Sequence, residues 1–278
     1  MAPNVHVEDT AASAWKDLEK IAVEVQHDLD VAHIDRSNEF ASIIDLWKRM
    51  LPNGTESDTW YSSAKRFWDD ESTCSLNENG VLGGYAEVSE ADIFDSTQFL
   101  KYVNGNIRPH CEAKIAVDCG AGIGRVTKFL LLPNFEHVDL VEQSSRLLEH
   151  VPRYIGDKET TRLGNSYCVA LQDFHPTPNF YDVIWIQWVL LYLTDIDLVY
   201  FLRRCQRALK PHGWICIKEN VILDKEQPFV LDQSDLSLTR CDAYYKSIFK
   251  QARLQIIFEQ RQLNFPAELF PVKMYALQ

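Results

Sequence analysis

A basic face, a paired-cysteine spacing and a long apolar run are all missing from this chain, and each absence removes a class of function. Acids outnumber bases 40 to 28, for a net charge of −12. Nucleic acid is therefore not expected as a partner, because neutralising phosphates needs clustered Lys and Arg. An acidic surface suits a cationic partner better. The seven cysteines (Cys74, Cys111, Cys119, Cys168, Cys205, Cys216 and Cys241) are odd in number and scattered, with no C-x-x-C. That spacing fits neither a disulfide framework nor a zinc site, so no metal is expected. No apolar run approaches the ~20 residues of a membrane span. The opening MAPNVHVEDT has neither a basic n-region nor an apolar core, so no signal peptide is expected. A reduced compartment follows, the cytoplasm or the nucleus, and a monomer is expected.

What is present is an ordinary globular composition, 46% apolar and 24% charged over 278 residues, which excludes disorder along the whole length. There is no internal repeat and no low-complexity tract. Residues 1–60 concentrate twelve acids against five bases. Within them Trp15, Leu18, Ile21, Ala22, Val25 and Leu29 fall at helical spacing, as do Phe40, Ile43, Ile44 and Trp47. Two amphipathic helices are expected, closed by a turn at Pro52–Gly54. They either pack on the body of the protein or form a docking segment for another protein.

From Lys114 short apolar runs alternate with helical stretches. The runs are Ile115–Cys119, His137–Glu142, Ser166–Leu171, Tyr181–Gln187 and Trp214–Glu219; the helical stretches lie near 124–133, 144–154 and 195–209. Continuous apolar strands separated by helices indicate a parallel sheet covered on both faces. Right-handed crossovers then bring all strand C-termini to one edge, where ligands bind. The tail pair Leu254–Gln262 and Phe270–Leu277 reads as an antiparallel hairpin at the end of the sheet.

The first strand runs directly into Asp118-Cys119-Gly120-Ala121-Gly122-Ile123-Gly124-Arg125. Glycines at a strand-to-helix turn let backbone N–H groups approach a ligand closely. A dinucleotide fingerprint requires G-x-G-x-x-G, but the third fingerprint position here is Arg125. The next strand ends in Glu142, where an acid can accept hydrogen bonds from both ribose hydroxyls. Arg125 can pair with a ligand carboxylate through its guanidinium fork. A nucleoside with a carboxylate and no pyrophosphate is S-adenosylmethionine; a nicotinamide dinucleotide or a purely structural loop are the alternatives.

These residues resemble motif I of class I methyltransferases, and further strings narrow the resemblance. Val81–Tyr85 (VLGGY), Asp118–Lys128, Ala170–Phe174 (ALQDF), Tyr181–Val189 (YDVIWIQWV), Leu202–Cys205 and the C-terminal YAL are similar to the alpha-N-terminal protein methyltransferases. That family methylates the free α-amine of proteins beginning Xaa-Pro-Lys or Xaa-Pro-Arg. The resemblance implies a three-layer α/β/α, Rossmann-like fold, with a seven-stranded, mostly parallel sheet ending in an antiparallel hairpin. It covers residues 58–278 and leaves 1–57 as an acidic helical extension. It also implies that Gly120, Arg125, Glu142, Gln143, Leu171, Gln172 and Gln187 contact S-adenosylmethionine. Trp68, Leu82, Trp188, Asp232, Ser237 and Phe270 are implied around the peptide, with Asp235, Asn220 and Tyr192 at the reacting amine.

The chemistry of those residue types agrees. A protonated α-amine cannot attack a methylsulfonium, and with a pKa of ~7.7–8.0 only a minority is neutral near physiological pH. A carboxylate such as Asp235 can orient the amine and take up its proton, help typically worth ~10²–10⁴-fold. Trp68 and Trp188 offer flat walls for a second-position proline, and Asp232 offers a partner for a third-position Lys or Arg. Each has a plainer alternative. Trp188 can be core, as Trp185 is expected to be; the acids of QSDLS can be a helix start with Ser234 or Asp235 as N-cap; Tyr85 can be core or lid.

Two departures from the family pattern stand out. Tyr192 replaces a histidine, and a tyrosine of pKa ~10 is a poor proton acceptor at pH 7, which leaves the base role to Asp235. Phe270 stands where a pocket tyrosine is expected. A small-molecule N-methyltransferase and a weakly active binder of proline-led N-termini are the rival readings. Without Met1 the chain begins Ala2-Pro3-Asn4, where Asn4 offers Asp232 only a neutral hydrogen bond, so weak self-methylation at best is expected.

Overall fold

Every residue of Tyr181–Gln187 is buried, the burial expected of a central parallel strand with helices on both faces. In the computed structural model, which describes residues 7–29, 40–51, 58–223 and 227–278, the rest of the fold is arranged around it. In chain order the elements are α1 (Val7–Leu29), α2 (Ile43–Met50), α3 (Asp58–Asp69), α4 (Glu78–Val81), α5 (Ser89–Tyr102), β1 (Ile115–Cys119), β2 (His137–Glu142), α6 (Ser145–Ile155), α7 (Asp157–Thr160), β3 (Leu163–Cys168), β4 (Tyr181–Gln187), α8 (Asp195–Ala208), β5 (Leu209–Ile222), β6 (Phe229–Asp232), β7 (Ser237–Cys241), α9 (Asp242–Gln251), β8 (Ile256–Arg261) and β9 (Val272–Leu277). Short helical turns occupy Ala86–Val88, Val103–Ile107, Thr127–Leu131 and Leu190–Tyr192.

Seven strands make the expected sheet, in the order β3-β2-β1-β4-β5-β9-β8. The first five run parallel, and β9 is antiparallel to both β5 and β8. The structure adds two strands. Beyond its pairing with β9, β5 continues to Val221 and Ile222, which pair with Arg240 and Cys241 of β7; β7 in turn pairs antiparallel with β6.

One expectation is corrected, and one of the plainer alternatives falls away. The third strand was expected at Ser166–Leu171 but runs Leu163–Cys168. Its polar start pairs because the buried Asp139 carboxylate accepts the Asn165 N–H at 2.7 Å. The apolar Val169, Ala170 and Leu171 turn away to line a chamber. The QSDLS acids start no helix: residues 233–236 form the turn between β6 and β7.

The acidic extension takes the packed alternative. Leu18, Ile21, Ala22, Val25, Leu29, Phe40, Ile43 and Trp47 are all buried. Helix α1 is tied to α9 by the Asp28–Lys250 ion pair at 2.8 Å and to α8 by Tyr200 donating to Asp17 at 3.0 Å. Ser42 caps α2, its hydroxyl accepting the Asp45 N–H at 3.0 Å, the satisfied first turn an N-cap supplies. The Pro52–Gly54 turn, the Trp15 side chain and Ala2–Asn4 lie outside the described residues.

Candidate active site

At the C-terminal end of β1 the chain turns through Gly120 and Gly122, both with positive φ, +77° and +55°. A Cβ on Gly120 would lie 2.8 Å from the Val189 side chain, so the turn tolerates glycine alone on both conformational and steric grounds. The freed Gly122 N–H donates to one Glu142 oxygen at 2.9 Å, and the Ser144 N–H to the other, also at 2.9 Å. Glu142 thus stands fixed at the end of β2. Burial raises its pKa. Asp118, one strand inward, is fully buried, and burial pushes its pKa up to about 6 while Thr127 donates to it at 2.6 Å.

These groups wall a first chamber. Gly120, Glu142, Gln143, Leu171 and Gln172, five of the seven expected cofactor contacts, line it. The donor set fits S-adenosylmethionine: a glycine cradle a Cβ would fill, a strand-end carboxylate for the ribose, and an apolar shelf from Val169 to Leu171.

Arg125 and Gln187 are placed differently. Arg125 is only 4% exposed and pairs with Asp92 of α5 at 2.7 Å. Its guanidinium lies 5.7 Å from the Trp188 ring centroid. Gln187 gives its amide N–H to both Asp92 oxygens, at 2.9 and 3.0 Å, while its own oxygen accepts the Trp185 indole. Lys218 completes the cluster, 2.5 Å from Asp92. Burial by itself would raise the Asp92 pKa, yet Lys218 and Arg125 hold it below the ordinary value. Neither Arg125 nor Gln187 lines a chamber; both form its supporting layer, and the fork expected between Arg125 and a ligand carboxylate already has one nitrogen on Asp92.

A second chamber of about 390 Å³ adjoins the first. Trp68, Val81, Trp188 and Tyr192 line both and form the wall between them. Every residue expected around the peptide or its amine lines this chamber: Leu82, Asn220, Asp232, Asp235, Ser237 and Phe270 join Trp68, Trp188 and Tyr192. Tyr192 donates its hydroxyl to Asp235 at 2.8 Å, and Ser237 gives its N–H to the other Asp235 oxygen at 3.0 Å. Burial and then the neighbouring Asp235 push the Tyr192 pKa well up, so the tyrosine is a hydrogen-bond donor at neutral pH. Asp232 accepts the Ser234 N–H and hydroxyl at the exposed hairpin tip. Phe270 and Tyr85 stand at the rim, 41% and 40% exposed; Tyr85 lines this second chamber, and neither the core nor the first chamber. Trp185 is core, as expected.

Trp188 holds a left-handed backbone, φ +52°, a strain of order 1–3 kcal/mol that persists only where surroundings over-determine it. Its N–H donates to Lys218 O at 3.0 Å. The next two N–H groups, of Val189 and Leu190, both donate to one oxygen of the buried Glu219, at 2.8 and 2.7 Å. Burial pushes the Glu219 pKa up to about 8. Glu219 and Asp92 were not foreseen as site residues. The available signal was their setting: a Lys-Glu pair closing the apolar strand Trp214–Glu219, and an acid in the helix after the GGY loop.

A seven-stranded sheet of this order with a glycine turn and a strand-end acid defines a class I S-adenosylmethionine-dependent methyltransferase. Residues 56–278 match the family model described as AdoMet dependent proline di-methyltransferase, and the chain belongs to that family. It is 38% identical over 261 residues to alpha N-terminal protein methyltransferase 1 of Arabidopsis thaliana, covering 90% of this chain and 91% of the relative. It is 43% identical over 220 residues to N-terminal Xaa-Pro-Lys N-methyltransferase 1 of Danio rerio, covering 79% of this chain and 96% of the relative. Among solved structures, a SAM-dependent methyltransferase of Leishmania major superposes with TM-score 0.78 at 35% identity, covering 89% of this chain and 96% of that one. Phosphoethanolamine N-methyltransferase 1 of Haemonchus contortus, at TM-score 0.63 and 17% identity over 80% of this chain and 49% of that one, shares the fold.

Proposed function

We propose that this chain transfers methyl groups to the free α-amine of proteins that begin Xaa-Pro-Lys or Xaa-Pro-Arg once Met is removed. The observation that carries the reading is the Tyr192–Asp235 hydrogen bond of 2.8 Å at the wall between the two chambers. Each Asp235 oxygen already accepts one hydrogen bond, which fixes the carboxylate while leaving a lone pair for an incoming amine. Asp235 orients that amine and takes its proton, and Asn220 accepts a second N–H. Trp68 and Trp188 flank the proline ring, and the Asp232 carboxylate meets the third-position cation. S-adenosylmethionine brings a methyl that is already activated, so in-line positioning is most of what the residues must supply. Glu142, Gln143, Leu171 and Gln172 are the residues that would hold it.

In this reading residues 58–278 are the catalytic domain and 1–57 a helical extension. No helix among the described residues is long and apolar enough to cross a membrane, and we place the protein in the cytoplasm or nucleus, acting as a monomer without nucleic acid. Mass spectrometry of a Ser-Pro-Lys-led peptide incubated with enzyme and cofactor tests the function. Mass gain in methyl steps at the α-amine is expected, with none on an N-acetylated copy. Inert peptides alongside methylated small amines would overturn it.

A further inference from the structure

The family match begins at residue 56, yet the helix that precedes it reaches the substrate side of the site. Trp47 of α2 is fully buried and donates its indole N–H to Asp195 at 2.7 Å. Asp195 is fully buried and also accepts the Tyr244 hydroxyl at 2.5 Å. Its other oxygen pairs with Arg240 at 2.9 Å. Arg240, on β7 a few residues beyond Asp235, donates to Leu193 O at 2.7 Å and Leu190 O at 3.4 Å. Those carbonyls bracket the helical turn that carries Tyr192. A second route runs beside the first. The Trp47 ring meets Trp60 edge-on at 5.4 Å between centroids, and Trp60 donates its indole N–H to Tyr192 O at 2.6 Å.

We infer that Trp47 is a positioning residue: through Asp195–Arg240 and through Trp60, the N-terminal extension holds the Tyr192 turn in register with Asp235. The inference rests on the reading of Tyr192 and Asp235 as the groups at the substrate amine. Its physical basis is that a buried guanidinium orients carbonyls only as well as its own carboxylate is oriented. The Asp195 oxygen away from Arg240 has two donors, Trp47 and Tyr244, so losing Trp47 leaves that oxygen held by Tyr244 alone and loosens the carboxylate's orientation.

The experiment is a double-mutant cycle in the full chain with Trp47→Phe, which keeps an aromatic ring and deletes the N–H, and Tyr192→Phe. All proteins are assayed on a Ser-Pro-Lys-led peptide, at a temperature where their melting curves show them folded. Trp47→Phe should lower kcat about tenfold, short of the ~10² that an ångström of misplacement costs, with the affinity for S-adenosylmethionine unchanged. In the Tyr192→Phe background the same change should cost less than about twofold, because residues acting through one another are not additive. An unchanged kcat in Trp47→Phe, or an equal loss in both backgrounds, overturns the inference and leaves the proposed chemistry standing if Tyr192→Phe and Asp235→Asn are impaired. Full turnover in both of those variants overturns the chemistry and the inference together.

Discussion

The two chambers are built from different materials. The cofactor side is backbone and strand ends: a glycine turn, two N–H groups on Glu142, and the Val169–Leu171 shelf, all within one run of β-α-β units. The side proposed for the substrate is side chains drawn from far apart in the sequence, with Trp68 of α3, Asn220 of β5, Asp235 of the β6–β7 turn, and Trp188 and Phe270 from loops. Chemistry that depends on backbone geometry constrains residue type locally, whereas chemistry that depends on converging side chains constrains them only in the folded molecule.

This contrast can be broken by mutation, the larger effects first. Asp235→Asn should depress kcat by at least the ~10² of a lost general base while leaving cofactor binding intact. Tyr192→Phe should cost distinctly less, since it removes one donor to a carboxylate that keeps its Ser237 contact. Steady-state kinetics decide it, and a larger loss in Tyr192→Phe would reverse the division of roles. On the other side of the wall, Glu142→Ala should weaken S-adenosylmethionine by ~1.5–3 kcal/mol, the loss of a hydrogen bond to a charged group. Calorimetry returning the wild-type affinity would remove Glu142 from the ribose.

The smallest effect concerns the joint between the chambers. Burial raises the Glu219 pKa from an ordinary 4.5 to about 8, so the folded state binds a proton that the unfolded chain releases. Its contribution to stability is complete below pH 4.5 and is lost as pH rises through about 8. Melting temperature should therefore fall with pH across that window more steeply in the wild type than in Glu219→Gln, which keeps an oxygen for the Val189 and Leu190 N–H groups. Parallel slopes would show that Glu219 does not titrate there.

The same contrast explains what was legible in the sequence. The boundaries of β1, β2 and β4 were readable to the residue because short, mostly apolar runs end at Cys119, Glu142 and Gln187. β3 was misplaced because its pairing residues are polar and its apolar neighbours line a chamber instead. The proposed substrate residues were named through resemblance to a family, since no spacing links 68 to 188 or 270. The Asp92 hub and the Glu219 clamp were missed because a buried charge is recognisable only from its partners, and theirs come from other elements.

The β6–β7 hairpin joins the rest of the sheet through two residue pairs, Val221 with Arg240 and Ile222 with Cys241. It is in effect a graft on the tip of β5, and loops borne on a rigid frame are where binding preferences diverge most readily. A lineage, or an engineer, can recharge residues 230–234, leaving Phe229 in the core and Asp235 on its Tyr192 and Ser237 contacts, without disturbing the registry of the parallel strands. The preference for one protein terminus over another is thus a detachable property of this scaffold, and methyl donation a permanent one.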